Sequence, residues 1–364
     1  MGITNRASVH SPSKPLDPTT IEFGKVFTPN FFLMKYADGS WQEPVIGPMQ
    51  DFQLHPAAIV FHYGQAIFEG LKAFQQDSGR IVIFRPEMNA RRFNLSARRL
   101  DMPEVDEGLF VEACAKLVEN ERYFVPASPG SLYIRPSMIG VEPCIGVRSS
   151  KEFYFFIMTL PAGTYFKEVT GGAGSVNVLV SESVFRACRG GTGNVKAAGN
   201  YAASLNIITE AKKKGCVQVL FLNAADRAHI EEMGGMNVFF VREGKLLTPP
   251  LSDTILAGVV RDTVLQLARD MGIEAIETPL AIREVLADIR SGRITEAMAC
   301  GTAASITGIG SLQTESGEVI RVGSESPGPM TNGLYHQIRG IQYGQIPDRH
   351  GWITEVCTLE PVAR

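Results

Sequence analysis

Arg189-Gly190-Gly191-Thr192-Gly193-Asn194-Val195-Lys196-Ala197-Ala198-Gly199-Asn200-Tyr201 sets a single lysine among glycines, alanines and small polar residues. The next lysines come only at Lys212 to Lys214. Glycine lets backbone approach a bulky flat ligand closely and take positive φ. Beyond the loop, Tyr201, Leu205 and Ile208 fall at i, i+4 and i+7. That spacing predicts the inner face of a helix over 200–214, N-capped by Asn200 and stopped by Gly215. An isolated lysine is ordinarily a solvated surface charge. A poorly solvated ammonium has a lowered pKa and acts as an imine-forming nucleophile and proton shuttle. The rest of the chain decides between the two.

The chain has 364 residues, a length that predicts two domains. At 45% hydrophobic and 20% charged it has the composition of a soluble globular enzyme. A net charge of −3 argues against nucleic acid or an anionic membrane as partner. Cys114, Cys144, Cys188, Cys216, Cys300 and Cys357 are scattered and form no Cys-x-x-Cys. This pattern predicts no metal site and no disulfide framework, and a reducing, cytoplasmic setting. No apolar leader and no run of ~20 apolar residues is visible.

Residues 1–20, rich in Ser, Thr and Pro, predict a mobile arm. A first domain is expected over 21–161, an interdomain loop over 162–175 and a larger domain over 176–364. Within the first, Asp38-Gly39 marks a hairpin. Pro86 opens a helix over 87–101, and a second helix is expected at 106–122. Strands are expected at 131–139 and 152–160. The second domain predicts a strand at 176–184 and a meander through 217–222, 228–232, 237–241 and 245–248. Helices at 258–271 and 281–291 follow, then strands either side of Gly301-Thr302-Ala303. Meanders with interspersed helices predict two α+β domains rather than strict βαβ alternation.

An imine-forming phosphorylated cofactor such as pyridoxal 5′-phosphate needs a lysine, a carboxylate on its ring nitrogen and a cradle for a dianionic phosphate. Lys196 supplies the first. Glu231-Glu232-Met233-Gly234-Gly235-Met236-Asn237 offers the second at a strand end, although paired glutamates are ordinarily a solvated turn. Two stretches compete for the third: the helix start after Ser252-Asp253-Thr254-Ile255-Leu256-Ala257-Gly258, with its free N–H groups, and Gly301-Thr302-Ala303. A guanidinium from helix 87–101 would complete either. Gly190-Gly191-Thr192-Gly193 does not fit the dinucleotide fingerprint Gly-x-Gly-x-x-Gly.

These motifs, together with His62–Phe74 and Leu132-Tyr133-Ile134-Arg135-Pro136, resemble in type and order the branched-chain amino acid aminotransferases. That family is fold-type IV among pyridoxal-phosphate enzymes. The resemblance runs from about Phe23 to Arg364 and implies a smaller N-terminal domain, a larger C-terminal domain with a mixed, barrel-like sheet, and the cofactor between them. It implies reversible ping-pong transamination of L-leucine, L-isoleucine and L-valine with 2-oxoglutarate and L-glutamate through a Schiff base on Lys196. By the same resemblance Tyr201 bonds the cofactor phenolate, Glu232 the ring nitrogen and Arg92 the phosphate, with Arg91 the neighbouring alternative. Val259, Val260 and Thr302 add phosphate contacts, and Leu256 packs on the ring. Thr302 and Ala303 face the substrate carboxylate. Tyr133 and Arg135 lie over the pocket, Arg135 anchoring the distal carboxylate of glutamate, while Phe68 and Tyr165 line the apolar side. Tyr63 reaches in from the other subunit of a homodimer. D-amino acid transaminase and aminodeoxychorismate lyase share the fold, but the Tyr133-x-Arg135 pair and the long first domain favour the L-branched-chain branch. Two positions depart from relatives: Ala304 and Thr307 replace a Cys-x-x-Cys of animal members, and Gly235 stands where some carry threonine.

Overall fold

The computed structural model describes residues 2–14, 16–164, 172–324 and 326–359. The chain divides into two units. The first comprises Met1–Tyr165, Val195–Gly199 and Gly340–Arg364; the second comprises Phe166–Asn194 and Asn200–Arg339.

The first unit is built on a ten-stranded sheet. Its path runs Thr4–Asn5, Val45–Pro48, Asn30–Ala37, Phe153–Ala162, Ser131–Gly140, Leu71–Gln75, Arg80–Phe84, Ile353–Thr358. Ser40–Trp41 pairs beside Asn30–Ala37, and Ala66–Phe68 beside Ser131–Gly140. The sharp reversal at Asp38 (φ 53°) and Gly39 (φ 77°) gives the predicted hairpin, because a tight two-residue turn needs positive φ at both positions. Phe153, Phe155 and Ile157 alternate inward along their strand. They meet Phe93 of helix Pro86–Arg99 and Phe110 of helix Glu107–Asn120 in one core. Both helices match their predicted spans to within two residues, the second capped by Asp106, whose carboxylate accepts the Leu109 N–H.

The second unit carries a nine-stranded sheet. Its path is Ile230–Met233, Gln218–Leu222, Ser175–Ser181, Ser305–Gln313, Ile294–Gly301, Asn237–Arg242, Lys245–Thr248, Ala275–Glu277, with Val319–Arg321 beside Ser305–Gln313. Parallel and antiparallel pairs are mixed. The predicted meander is therefore broken. Two hairpins form, but Ile230–Met233 lies at one end of the path while Asn237–Arg242 lies several strands away. Only residues 234–236 join them, so the sheet must curl until those strands nearly meet. The barrel-like curvature follows from that short link.

Three further expectations change. Thr4–Asn5 of the expected mobile arm pairs with Val45–Pro48, and Ser8 O accepts from Asn30 Nδ2, so this part of the arm is an edge strand. Gly340–Arg364, expected in the second domain, belongs to the first unit because Ile353–Thr358 pairs antiparallel with Arg80–Phe84. The helix expected over 200–214 is two helices, Ala198–Ala202 and Leu205–Lys213. Asn200 lies inside the first of them rather than capping it, and Leu205 is 63% exposed rather than inward. Gly215 does end the second, at φ 77°.

Candidate active site

Lys196 is fixed through its backbone. Its N–H donates to Ser96 Oγ at 3.0 Å, its carbonyl accepts the Phe68 N–H at 3.2 Å, and Ala197 bridges to Ile67. Ser96 is itself oriented, donating to Arg92 O one turn back in its helix. The half-buried Lys196 ammonium lies 4.7 Å from the Phe68 ring centroid, a cation–π contact that partly replaces lost water.

Beside it sits Glu69, fully buried. Arg92 grips this carboxylate with two bonds, Nε to Oε1 at 2.7 Å and Nη2 to Oε2 at 2.8 Å. Asn89 Nδ2 and the Gly70 N–H donate to Oε2 as well. Burial on its own would raise the Glu69 pKa. The charge and hydrogen bonds of Arg92, with the charge of Lys196, outweigh it and hold the acid below the usual carboxylate range. Arg91 points outward and pairs with Glu107 at 3.5 Å, so of the two adjacent arginines only Arg92 is turned inward.

Arg135 stacks over Phe68 (4.7 Å) and Tyr133 (5.2 Å), and donates from Nη2 to the Tyr133 hydroxyl at 3.0 Å. Its buried Nε has no hydrogen-bond partner among the described residues. Tyr133 fits only because position 70 is glycine: a β-carbon there would fall 2.0 Å from its hydroxyl. Tyr63, exposed on the short helix Ile59–Tyr63, donates to Ile145 O. Tyr165 lies outside the described residues.

In the second unit Glu232 is only 3% exposed. Its Oε1 meets Arg186 Nη2 at 2.6 Å and accepts the Leu256 N–H at 3.0 Å; its Oε2 accepts from Asn237 Nδ2 at 3.1 Å. Charged and amide donors of this kind favour an ionised carboxylate. Neighbouring Glu231 is equally buried, and there burial dominates: its pKa is pushed up despite bonds from Thr254 and Asn223. Tyr201 stands by the glycine turn after Glu232, since a β-carbon on Gly235 would lie 3.9 Å from its ring, an ordinary contact. The carbonyl of Gly235 also approaches Gly301, which brings the start of the turn 302–304 to the same place. Helix Val259–Asp270 starts at Gly258 with no side-chain cap, so the amides of Val259 and Val260 face forward without intrahelical acceptors.

The residues present fit a phosphorylated pyridine carrying an aldehyde. The first unit offers a pinned lysine and a buried donor, Arg135 Nε, without a partner among the described residues; the second offers a buried carboxylate held by a cation and amides, an uncapped helix start and Ser305 Oγ, likewise without a described partner. Sequence reading missed Glu69, Asn89, Arg186 and Asn237. Each acts on a residue far along the chain or is an ordinary polar residue in its local pattern.

Residues 66–312 match the family described as amino-transferase class IV. The chain belongs to that family. This aminotransferase is 42% identical to branched-chain-amino-acid transaminase 1 of Bacillus subtilis over 97% of its own length and 99% of the relative's. It is 43% identical to a probable branched-chain-amino-acid aminotransferase of Streptomyces coelicolor, covering 91% of each. It also resembles the solved structure of the branched-chain amino acid aminotransferase from Thermobaculum terrenum in its pyridoxal-phosphate form, with TM-score 0.73 and 28% identity over 90% of this chain and 98% of that one.

Glu69→Gln removes the charge that Arg92 faces in a buried site, and losing one partner of such a pair costs about 3–5 kcal/mol. Because the Glu69 pKa is depressed on folding, its stabilisation is present above the unfolded carboxylate value and is lost as pH falls through the folded one. Denaturant unfolding of wild type and E69Q is expected to differ at pH 7 and to converge at acid pH. A gap that stays constant with pH contradicts the assignment.

Proposed function

We propose that this pyridoxal-phosphate-dependent aminotransferase exchanges the amino group of L-leucine, L-isoleucine and L-valine with 2-oxoglutarate. The names of its relatives support the substrate class, and the observation that carries the chemistry is the pinned Lys196 beside the Glu69–Arg92 pair.

In this reading Lys196 Nζ would be the amine that holds the cofactor's aldehyde carbon, and the same amine would take the proton from the substrate Cα and give it back. Bound pyridoxal phosphate supplies the electron sink for that proton's removal. Glu232, turned by its donors, would keep a proton on the ring nitrogen. Tyr201 would bond the phenolate oxygen and Leu256 would pack on the ring. The amides of Val259 and Val260, Thr302 and the guanidinium of Arg92 would hold the phosphate, with Glu69 orienting that guanidinium. Thr302 and Ala303 bind the substrate carboxylate.

A branched side chain and the distal carboxylate of glutamate must share one pocket. Phe68 gives the apolar wall, and Arg135 can serve both occupants because the Tyr133 hydroxyl and two ring faces support its charge when no carboxylate is present. The functional unit in this reading is a homodimer. Phe61, Tyr63, Ile145 and Val147 are apolar and exposed, Val147 by 87%, and a second copy would cover them and bring Tyr63 to the other subunit's pocket. The six cysteines are free, in keeping with a reducing cytoplasm.

Lys196→Ala is expected to remove the visible absorbance of the bound cofactor and reduce turnover by at least about 10⁴-fold, as loss of a covalent catalyst does; turnover near wild type rejects the role. Arg135→Ala is expected to slow the half-reaction with glutamate at least about tenfold more than that with leucine, since a charge-assisted pair contributes about 1.5–3 kcal/mol; equal losses in stopped-flow half-reactions reject it. Sedimentation is expected to give twice the chain mass, falling to the single-chain mass in Val147→Asp; a wild-type monomer with full activity would refute the dimer.

A further inference from the structure

We propose that Arg186 is the positioning residue of the ring-nitrogen acid: it keeps Glu232 ionised and rotationally fixed before any cofactor arrives. The inference rests on the assignment of Glu232 to the ring nitrogen and adds how that acid is made ready.

Arg186 is itself immobilised. Its side chain is 6% exposed, and the nitrogen that meets Glu232 also donates to Gly193 O at 2.8 Å and to Thr254 O. One carbonyl belongs to the glycine loop ahead of Lys196 and the other to the turn that leads towards Leu256. Both fix the guanidinium against one carboxylate oxygen, and the Leu256 N–H, on that same oxygen, sets the rotation of the carboxylate. Without a cation in contact, burial favours the neutral carboxyl. Glu231, the preceding residue, shows that direction. Among the described contacts Arg186 makes no direct bond to it and acts only as a charge at longer range, and desolvation raises its pKa despite that charge and the bonds from Thr254 and Asn223. The other titratable neighbours reinforce the contrast. Cys300, on strand Ile294–Gly301, is a thiol pushed up to about 12, first by burial and further by the charge of Glu232, against the opposing charge of Arg261. The Tyr201 phenol stands at the adjoining glycine turn. Arg186 is therefore the cation in direct contact with Glu232 among its described partners.

The test is infrared spectroscopy of the full-length chain stripped of cofactor, following the stretch of protonated carboxyl groups, with Glu232→Gln assigning the band that belongs to Glu232. In wild type at pH 7 no protonated band is expected to vanish on Glu232→Gln. In Arg186→Gln such a band is expected to appear, and to be absent from the double variant with Glu232→Gln. Arg186→Lys is expected to suppress it again. Affinity for added pyridoxal phosphate should fall at least tenfold in Arg186→Gln and recover in part in Arg186→Lys. A Glu232 band already present in wild type at pH 7 overturns the proposal whether or not the variants fold. So does a folded Arg186→Gln without the band, or a loss of affinity that lysine does not relieve. Because the band is read without cofactor, it stands apart from the aminotransferase reading, which fails instead if wild type takes up no pyridoxal phosphate.

Discussion

A charge taken out of water must be met by another charge or by several donors, and both units of this chain are arranged around that requirement. In the first, Glu69 and Arg92 form a bidentate pair in the sheet–helix core, with Asn89 and the Gly70 amide completing the carboxylate. In the second, one Arg186 nitrogen meets one oxygen of Glu232, and the Leu256 amide and Asn237 bond the carboxylate as well. An isolated buried ion costs several kcal/mol, and a well-bonded pair removes most of that cost. Each pair thereby keeps a charged group at a fixed place where water is scarce, which is where electrostatic effects on a reacting molecule are large.

The scaffold explains how those places stay fixed. Lys196 has both backbone groups engaged, by a serine from a helix and an amide from a short edge segment, so its side chain moves on a rigid base. Glu232 lies one residue before the end of a strand whose link to the next is three residues long, and the curl this enforces holds that link, at Gly235, beside Tyr201 and Gly301. Substrate discrimination rests on softer contacts. Among the described residues Arg135 is supported by two aromatic faces and one phenol rather than by a carboxylate, which leaves its charge available to a bound one.

Local pattern made much of this legible. Pro86, the Asp106 cap and the alternation Phe153, Phe155, Ile157 each act within a few residues, and the elements they predict are found. The lysine loop, the Glu232 turn and the order of motifs pointed to the family because glycine spacing and motif order are written in the chain itself. What was not legible depends on distant partners. Arg186 reads as an ordinary cation until Glu232 folds against it, and Glu69 as an ordinary acid until Arg92 does. The break after Ala202 escapes a periodicity argument, since Leu205 keeps the spacing while facing solvent. The return of Ile353–Thr358 to the first sheet is a pairing across most of the chain's length, which no local signal encodes.

That returning strand governs when the protein can be completed during synthesis. Arg80–Phe84 is translated early, yet the segment that covers its outer edge, Ile353–Thr358, follows only after every other strand of both sheets. Until then the nascent chain carries an apolar strand with one row of amides and carbonyls open, a template on which neighbouring nascent chains can assemble. Deletion of Ile353–Thr358 would make that interval permanent, although every residue assigned to chemistry would still be present.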